Sequence, residues 1–163
     1  MSQVRWDVKN VAVEHSPYVD MIIRKIQVFA LRLENVSSRI TLNSRVVQSI
    51  WSMVSKFVVH LLVEGFSNAT KCSNGGRGLM QLDYRQLFVK LEKISGLKPV
   101  PYQDYVDKYV KAYYLPRNEL EIFVRDRNEY SSKHLLALVS CACENKRDRQ
   151  ALTAIIECRD GGS

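Results

Sequence analysis

The glycine-rich stretch at residues 73–78, SNGGRG, is the first place where this chain could do chemistry. Backbone N–H groups of such a loop can cradle a phosphate, but a P-loop follows a strand and continues with Lys and then Ser or Thr. This stretch has neither feature. We interpret it as a structural joint, in which a hydroxyl or amide caps a short helical turn and the glycines let its backbone lie against the end of the preceding helix. The residues assigned to the joint are Ser73, Asn74, Gly75, Gly76 and Asp83.

The cysteines are the second candidates for chemistry. Cys72 follows Lys71, whose charge could lower the pKa of the thiol, although no His lies nearby in the sequence to act as a base. Cys141 and Cys143 could supply two soft metal ligands, but CxC lacks the CxxC spacing that is usual in zinc sites. The sequence therefore predicts reduced cysteines in a cytosolic protein, and no metal site.

A pair of carboxylates, Asp104 and Asp107, is the third candidate. Their spacing puts both on one helical face, where they could bind a cation. Lys108 and Lys111 adjoin them, which favours a solvated face of mixed charge. Since no nucleophile with a neighbouring base is evident either, we expect no catalytic residues and no cofactor.

Positive charge is concentrated in one part of the chain. The net charge is +7, and most of the excess lies between residues 71 and 98. A solvated basic face would explain it, and so would a surface for an acidic partner or an anionic membrane. The candidate interaction residues are Lys71, Arg77, Arg85 and Lys90.

Six tyrosines between Tyr84 and Tyr114 leave a second function class open. Interleaved with lysines, they could form a stacking platform for single-stranded nucleic acid, so a basic helical nucleic-acid-binding module is the alternative function. Tyrosines at helical spacing are more often packed with only the hydroxyl in water. No zinc-finger or recognition-helix pattern is present, and we therefore expect no nucleic acid partner.

The elements that must position these residues are predicted to be helical throughout. Apolar residues recur at three and four spacing, and strand patterns are missing. The second helix has a main apolar stripe and a few apolar residues outside it, so more than one neighbour should cover its C-terminal half. The stripe is formed by Val46, Val47, Ile50, Trp51, Val54, Phe57, Val58, Leu61, Leu62 and Gly65, and the residues outside it are Val59, Val63 and Phe66. The predicted segments are residues 17–35, then a polar link at 37–39, 44–69 after an Asn43 cap, and a short turn after 73. They continue with 84–94, which starts at a capping box on Asp83 and stops at Gly96, 102–115, a short helix around 120–124 after an Asn118 cap, one helix after the Ser131 cap and one after the Asn145 cap.

The predicted fold is all-α, an elongated bundle of about six to eight antiparallel helices. Residues 16–158 form its single domain, 1–15 an extended arm or irregular lead-in, and 159–163 a frayed end or artificial remnant. In the arm, Trp6, Val8, Val11 and Val13 could pack. No apolar run approaches the roughly 18 to 20 residues of a membrane span.

Four short motifs resemble the C-terminal region of the syndetin family. They are KCSN at 71–74, GR at 76–77, LMQLD at 79–83 and KAYYL at 111–115. The resemblance implies a CATCHR-type rod of stacked helices in a subunit of the EARP tethering complex, with three subunits shared with the GARP complex. It also implies non-enzymatic work in endocytic recycling, with vesicle tethering and SNARE-dependent fusion, and a cytoplasmic location peripheral to recycling endosomes and trans-Golgi-derived membranes. The family's coiled-coil regions lie upstream, so the chain is expected to be an isolated C-terminal domain.

Overall fold

Seven α-helices make up the computed structural model, which describes residues 4–8 and 12–160. They are α1 Pro17–Arg39, α2 Ser44–Phe66, α3 Asn74–Ser95, α4 Gln103–Ala112, α5 Arg117–Asp126, α6 Ser132–Ala142 and α7 Lys146–Asp160. The described residues contain no strand. The prediction of an all-α bundle with six to eight helices is confirmed.

One apolar core holds the helices together. α3 packs against α1, α2 and α4, α2 also packs against α4, and α7 packs against α5 and α6. The largest side chains with almost no exposed surface come from each of the helices α2 to α7, from the end of α4 and from the α5–α6 connection. They include Phe66, Met80, Leu87, Tyr109, Tyr113, Leu120, Tyr130, Leu138 and Leu152. Burial of this apolar surface is the main source of stability.

Most helix ends follow the local signals in the sequence. Asn43 caps α2 by accepting from the Arg45 N–H, and Ser131 caps α6 by accepting from the His134 N–H. The side chain of Asn145 accepts from the Arg147 N–H at the start of α7. These three predicted caps are confirmed, because each side chain satisfies an N–H group that the first helical turn leaves without a partner.

Two predicted breaks are wrong. The polar residues after position 35 do not link two helices, since the hydroxyls of Ser37 and Ser38 donate to the carbonyls of Leu33 and Asn35 and α1 continues to Arg39. α3 likewise runs without interruption from Asn74 to Ser95, so Asp83 lies in its interior and does not start a new helix.

Boundaries after α3 also differ from the prediction. Gly96, at φ 70°, ends α3 as predicted. α4 begins after Tyr102, which has a left-handed backbone, and ends at Ala112. Pro116 occupies the N-cap position of α5, so Asn118 lies inside that helix and is not its cap.

α2 buries only part of the predicted stripe, and its C-terminal half buries the residues outside that stripe as well, as expected. Val59, Val63 and Phe66 are fully buried, whereas Phe57 is 68% exposed and Val46 is 46% exposed. α2 is also long and apolar enough to cross a membrane by length and composition alone, contrary to the expectation that no segment is. The same composition suits a core helix, and its C-terminal half lies in the core against α3 and α4.

Trp6 and Arg159, one near each end of the described residues, both contact the bundle. Trp6 is buried, but Val13 is 93% exposed and does not pack as predicted. Val11 and residues 161–163 lie outside the described residues. Arg159, assigned to a frayed end, is in α7 and donates to the Val124 carbonyl at 2.7 Å.

Candidate interaction surface

The glycine-rich joint is filled by the N-terminal arm. The backbone N–H of Ser73 donates to the Trp6 carbonyl at 3.0 Å, and the Ser73 hydroxyl donates to the Val8 carbonyl at 2.5 Å. The same hydroxyl oxygen accepts from the Gly76 N–H at 3.1 Å, which caps α3. Trp6 packs edge-to-face on Phe66 at the end of α2. The arm is thus held between the ends of two helices.

Gly76 is required by this close approach. A Cβ built on Gly76 would lie 1.8 Å from the carbonyl oxygen and 2.6 Å from the carbonyl carbon of Trp6. The predicted close approach therefore exists, but it is to the arm and not to the preceding helix. The Trp6 backbone thus lies directly against Gly76, and the assignment of these residues to a structural joint stays a prediction.

Asp83 has a structural role that its local sequence does not show. Its side chain is fully buried and its Oδ1 accepts from the backbone N–H of Ser16, 2.7 Å away, at the N-terminus of α1. Burial raises the pKa of this carboxyl, and the bond from Ser16 opposes the rise. Burial also raises the pKa of Tyr18, with the charge of Asp83 adding to the effect. Asp83 therefore fixes the start of α1 against α3.

Arg77 is engaged inside the bundle. Its guanidinium donates to the Cys141 carbonyl at 3.3 Å and lies 5.4 Å from the ring centre of Tyr114. Burial raises the pKa of the nearby Cys72 thiol to about 11, despite the opposing charge of Arg77. The suggestion that the charge of Lys71 lowers this pKa is therefore wrong, and Cys72 is a poor nucleophile at neutral pH.

The remaining predicted interaction residues do not share one face. Lys71, Arg85 and Lys90 are exposed, the first in the loop before α3 and the other two on α3. A separation of five residues along a helix corresponds to a rotation of about 140°, so Arg85 and Lys90 point in different directions. With Arg77 bonded internally, the four basic residues do not form a single patch. Their role in binding stays a prediction.

The tyrosines mostly pack on one another and on the core. Tyr105 stacks on Tyr130 with ring centres 4.7 Å apart, and Tyr109 meets Tyr113 edge-to-face. Hydroxyls reach backbone acceptors, as in the bond from Tyr109 to the His134 carbonyl at 2.8 Å. The packing interpretation is confirmed for this cluster, and its stacked rings are not available to stack bases.

Asp107, one of the two predicted carboxylates of α4, also has protein partners, whereas Asp104 is exposed. Asp107 lies 2.6 Å from the Lys111 ammonium and accepts from the Tyr84 hydroxyl. Burial acts against ionisation of Asp107, but hydrogen bonds from Lys111 and Tyr84 outweigh it and lower the pKa. Across the described ranges, no group of three His, Cys, Asp or Glu side chains is placed to hold a metal ion.

The feature that the sequence reasoning missed is the tip formed by the end of α1 and the start of α2, residues 27–50. Phe29 and Trp51 meet edge-to-face, 5.6 Å apart, and join the two helices near the base of this tip. No residue from 27 to 50 is buried. Its exposed apolar side chains are Val28, Phe29, Leu31, Val36, Ile40 and Val46.

Apolar exposure continues along α2 as a defined stripe, which we call the α2 seam: Val46, Ile50, Met53 and Phe57. Met53 is 72% exposed, Phe57 is nearly as exposed, and Ile50 is half-buried. Two turns beyond the seam, Glu64 is bonded by Lys133 and by His134, the latter at 2.9 Å. The periodicity of α2 could have revealed the seam, because its apolar residues occupy more faces than one neighbour can cover.

Comparison with known proteins identifies relatives over nearly the whole chain. A family model described as "Syndetin, C-terminal" matches residues 1–157. Syndetin of Gallus gallus is 41% identical over 160 residues, and syndetin of Rattus norvegicus is 39% identical over 160 residues. In both cases the match covers 96% of this chain but only 17% of the relative. No solved structure matches the chain.

Proposed function

The chain belongs to the syndetin C-terminal family, and from that premise we propose that it is a non-enzymatic domain through which a tethering-complex subunit contacts other proteins. The subunit acts in the EARP complex, together with the three subunits shared with GARP. Its work is endocytic recycling, in which vesicles are held at recycling endosomes before SNARE-dependent fusion. The protein is cytoplasmic and peripheral to recycling endosomes and trans-Golgi-derived membranes.

The observation that carries this proposal beyond family membership is the exposed apolar surface of α1 and α2. A domain that acts alone buries such a surface, whereas a subunit of an assembly keeps it for a neighbour. Met53 and Phe57 are large, exposed and one turn apart on the same helix. The described carboxylates and thiols are either paired, buried with raised pKa values, or solvated, which suits a scaffold better than a reaction centre.

Complementation in cells tests the proposal. Cells depleted of the native protein receive either the full-length protein or a version that lacks this domain, and the return of an internalised receptor to the cell surface is timed. We expect the shortened protein to be stable, to co-purify with the other EARP subunits through its upstream coiled-coil regions, and to return the receptor more slowly. Normal recycling by a shortened protein that is expressed and assembled would contradict the proposal.

A further inference from the structure

We propose that the α2 seam docks a single amphipathic helix with acidic flanks, supplied by another protein chain. The inference rests on the proposed function, because it names the kind of partner that the scaffold domain binds. It assigns the contact to Val46, Ile50, Met53 and Phe57, and not to the basic residues of α3. Spacing, charge and the boundaries of the seam each support it.

Spacing is the first argument. The four seam residues follow one another at intervals of four, three and four, which is the spacing of a and d positions in a heptad repeat. On one helix this arrangement forms a straight apolar stripe of roughly 16 Å, the length that about three turns of a second helix would cover. Helices dock on such stripes through anchors at matching intervals.

The seam is separate from the face that α2 turns to the core. Trp51, Ser55 and Leu62 are buried on the core face, while Met53 and Phe57 are the most exposed apolar residues of α2. Val47 and Val54, which border the seam, are half-buried and packed against the core. An incoming helix therefore meets an exposed apolar stripe that joins the core along one side.

Charge identifies the flanks of the partner. Between residues 24 and 63 the chain has six basic residues and one acidic residue, Glu34. Arg45 and Lys56 are the charged residues that α2 itself contributes to this interval, and neither forms an ion pair within the described ranges. A docking helix with Glu or Asp beside its apolar positions would therefore meet basic residues of this chain, whose charge is complementary. The six basic residues are Arg24, Lys25, Arg32, Arg39, Arg45 and Lys56.

The same charges argue against a second copy of this chain. Two seams packed face to face would bring Arg45 and Lys56 of each copy together without acidic residues to separate them. Like charges in a docked interface disfavour the pairing.

A bilayer is the other surface that apolar and basic residues could meet, and the ends of the seam disfavour it. Glu64 lies seven residues after Phe57, on the same face of α2, and is bonded by Lys133 and His134 at the start of α6. The stripe is thus closed at one end by bonded charged groups. A single helix fits a stripe of this length, whereas a bilayer needs an apolar face that such groups do not interrupt.

Binding of designed peptides to the purified chain tests the inference. The probe is a labelled synthetic helix of about three heptads, with Leu at a and d and Glu at e and g, and the matched peptide has Lys in place of every Glu. We expect fluorescence anisotropy to show binding of the Glu peptide and at least tenfold weaker binding of the Lys peptide. Replacing Phe57→Glu or Met53→Glu should weaken binding of the Glu peptide about tenfold or more.

The control variant is Ile122→Glu, on α5. Ile122 is 58% exposed, so the substitution adds the same charge at a comparable apolar site away from α2. It should leave peptide binding unchanged, and the circular dichroism and melting midpoint of all three variants should match the parent because each altered side chain is largely in solvent. No binding of the Glu peptide, or equal loss in the control, would overturn the inference.

Two further measurements decide between the partner classes. Vesicles with and without phosphatidylserine test binding to a bilayer, and sedimentation of the chain alone tests self-association. If the chain binds vesicles or itself, loses that binding on Phe57→Glu, and does not bind the Glu peptide, the proposal of a helical partner is refuted. In cells, a photo-crosslinking residue at Met53 of the full-length protein should capture an acidic helical segment of another chain, and one at Ile122 should not. Capture of the protein's own chain or of lipid at Met53 would refute the inference even if the recycling function holds.

Discussion

Replacing Gly76→Ala should destabilise the domain, even though Ala is the better helix former. The new Cβ would lie 1.8 Å from the Trp6 carbonyl oxygen, and the three nearest atoms all belong to the backbone of Trp6. A backbone in contact with the core cannot rotate away as the end of a flexible side chain can. The arm must therefore move by about 1 Å or more, to bring the pair to van der Waals separation.

The magnitude follows from the contacts that this movement loosens. Helix propensity alone would favour Ala by about 1 kcal/mol. Against this, the arm loses the bonds from Ser73 to Trp6 and Val8, each worth about 1 kcal/mol, and part of the burial of Trp6 against Phe66. Overpacking of a well-packed site typically costs about 1–3 kcal/mol. We expect a net loss of about 2 kcal/mol, which lowers the melting midpoint by roughly 4–8 °C.

Chemical denaturation of four proteins provides the assay: the parent, Gly76→Ala, Trp6→Ala and the double variant. If the arm is displaced when Gly76 is replaced, Trp6→Ala should have a smaller effect in the double variant than in the parent. An unchanged or higher stability of Gly76→Ala would show that the arm does not pack on the joint, and additive effects would show that the two sites act independently.

Three other properties can be checked with single variants. Folding raises the pKa of Asp83 above its ordinary 3.8, because its carboxyl is buried. The stability that this shift contributes is complete below pH 3.8 and is lost as the pH rises through the folded pKa. The unfolding free energy of the parent should therefore fall over this pH range, relative to that of Asp83→Asn. Tyr109→Phe should cost about 1 kcal/mol by removing a buried hydrogen bond, whereas Tyr102→Phe, at an exposed ring, should be nearly neutral in the same denaturation assay. Iodoacetamide at neutral pH should modify the exposed Cys158 before Cys72, whose thiol pKa is about 11, and mass spectrometry of digests would reveal a reversed order.

Local signals in the sequence predicted the features that depend on neighbouring residues. Asn43, Ser73 and Ser131 each cap a helix through an N–H two or three residues ahead, so the interaction is complete within one turn. The left-handed Gly96 ends α3 for the same reason, since a glycine at that position needs no distant partner. Helix existence and class followed from the spacing of apolar residues alone.

Features that depend on distant residues could not be predicted in this way. Asp83 has the local pattern of a capping box, but its partner is the backbone of Ser16, 67 residues away. The contact between Ser73 and Trp6 spans the same separation. On α2, periodicity shows which residues share a face but not which face a neighbour covers, and so Phe57 was assigned to the core although it is exposed.

The structure separates the residues that stabilise the domain from those that can bind a partner. The base of the α1–α2 pair is fixed by Asp83, by the arm at Gly76 and by burial of Ile26 and Leu62, whereas residues 27–50 contribute no buried side chain. Substitutions at the base should therefore lower the melting midpoint and reduce binding only through unfolding. Substitutions at Met53 should reduce binding with an unchanged midpoint, because a side chain already in solvent loses little when it becomes charged. If substitutions at both places lowered both the melting midpoint and binding, the α2 seam would be part of the core and not a docking surface.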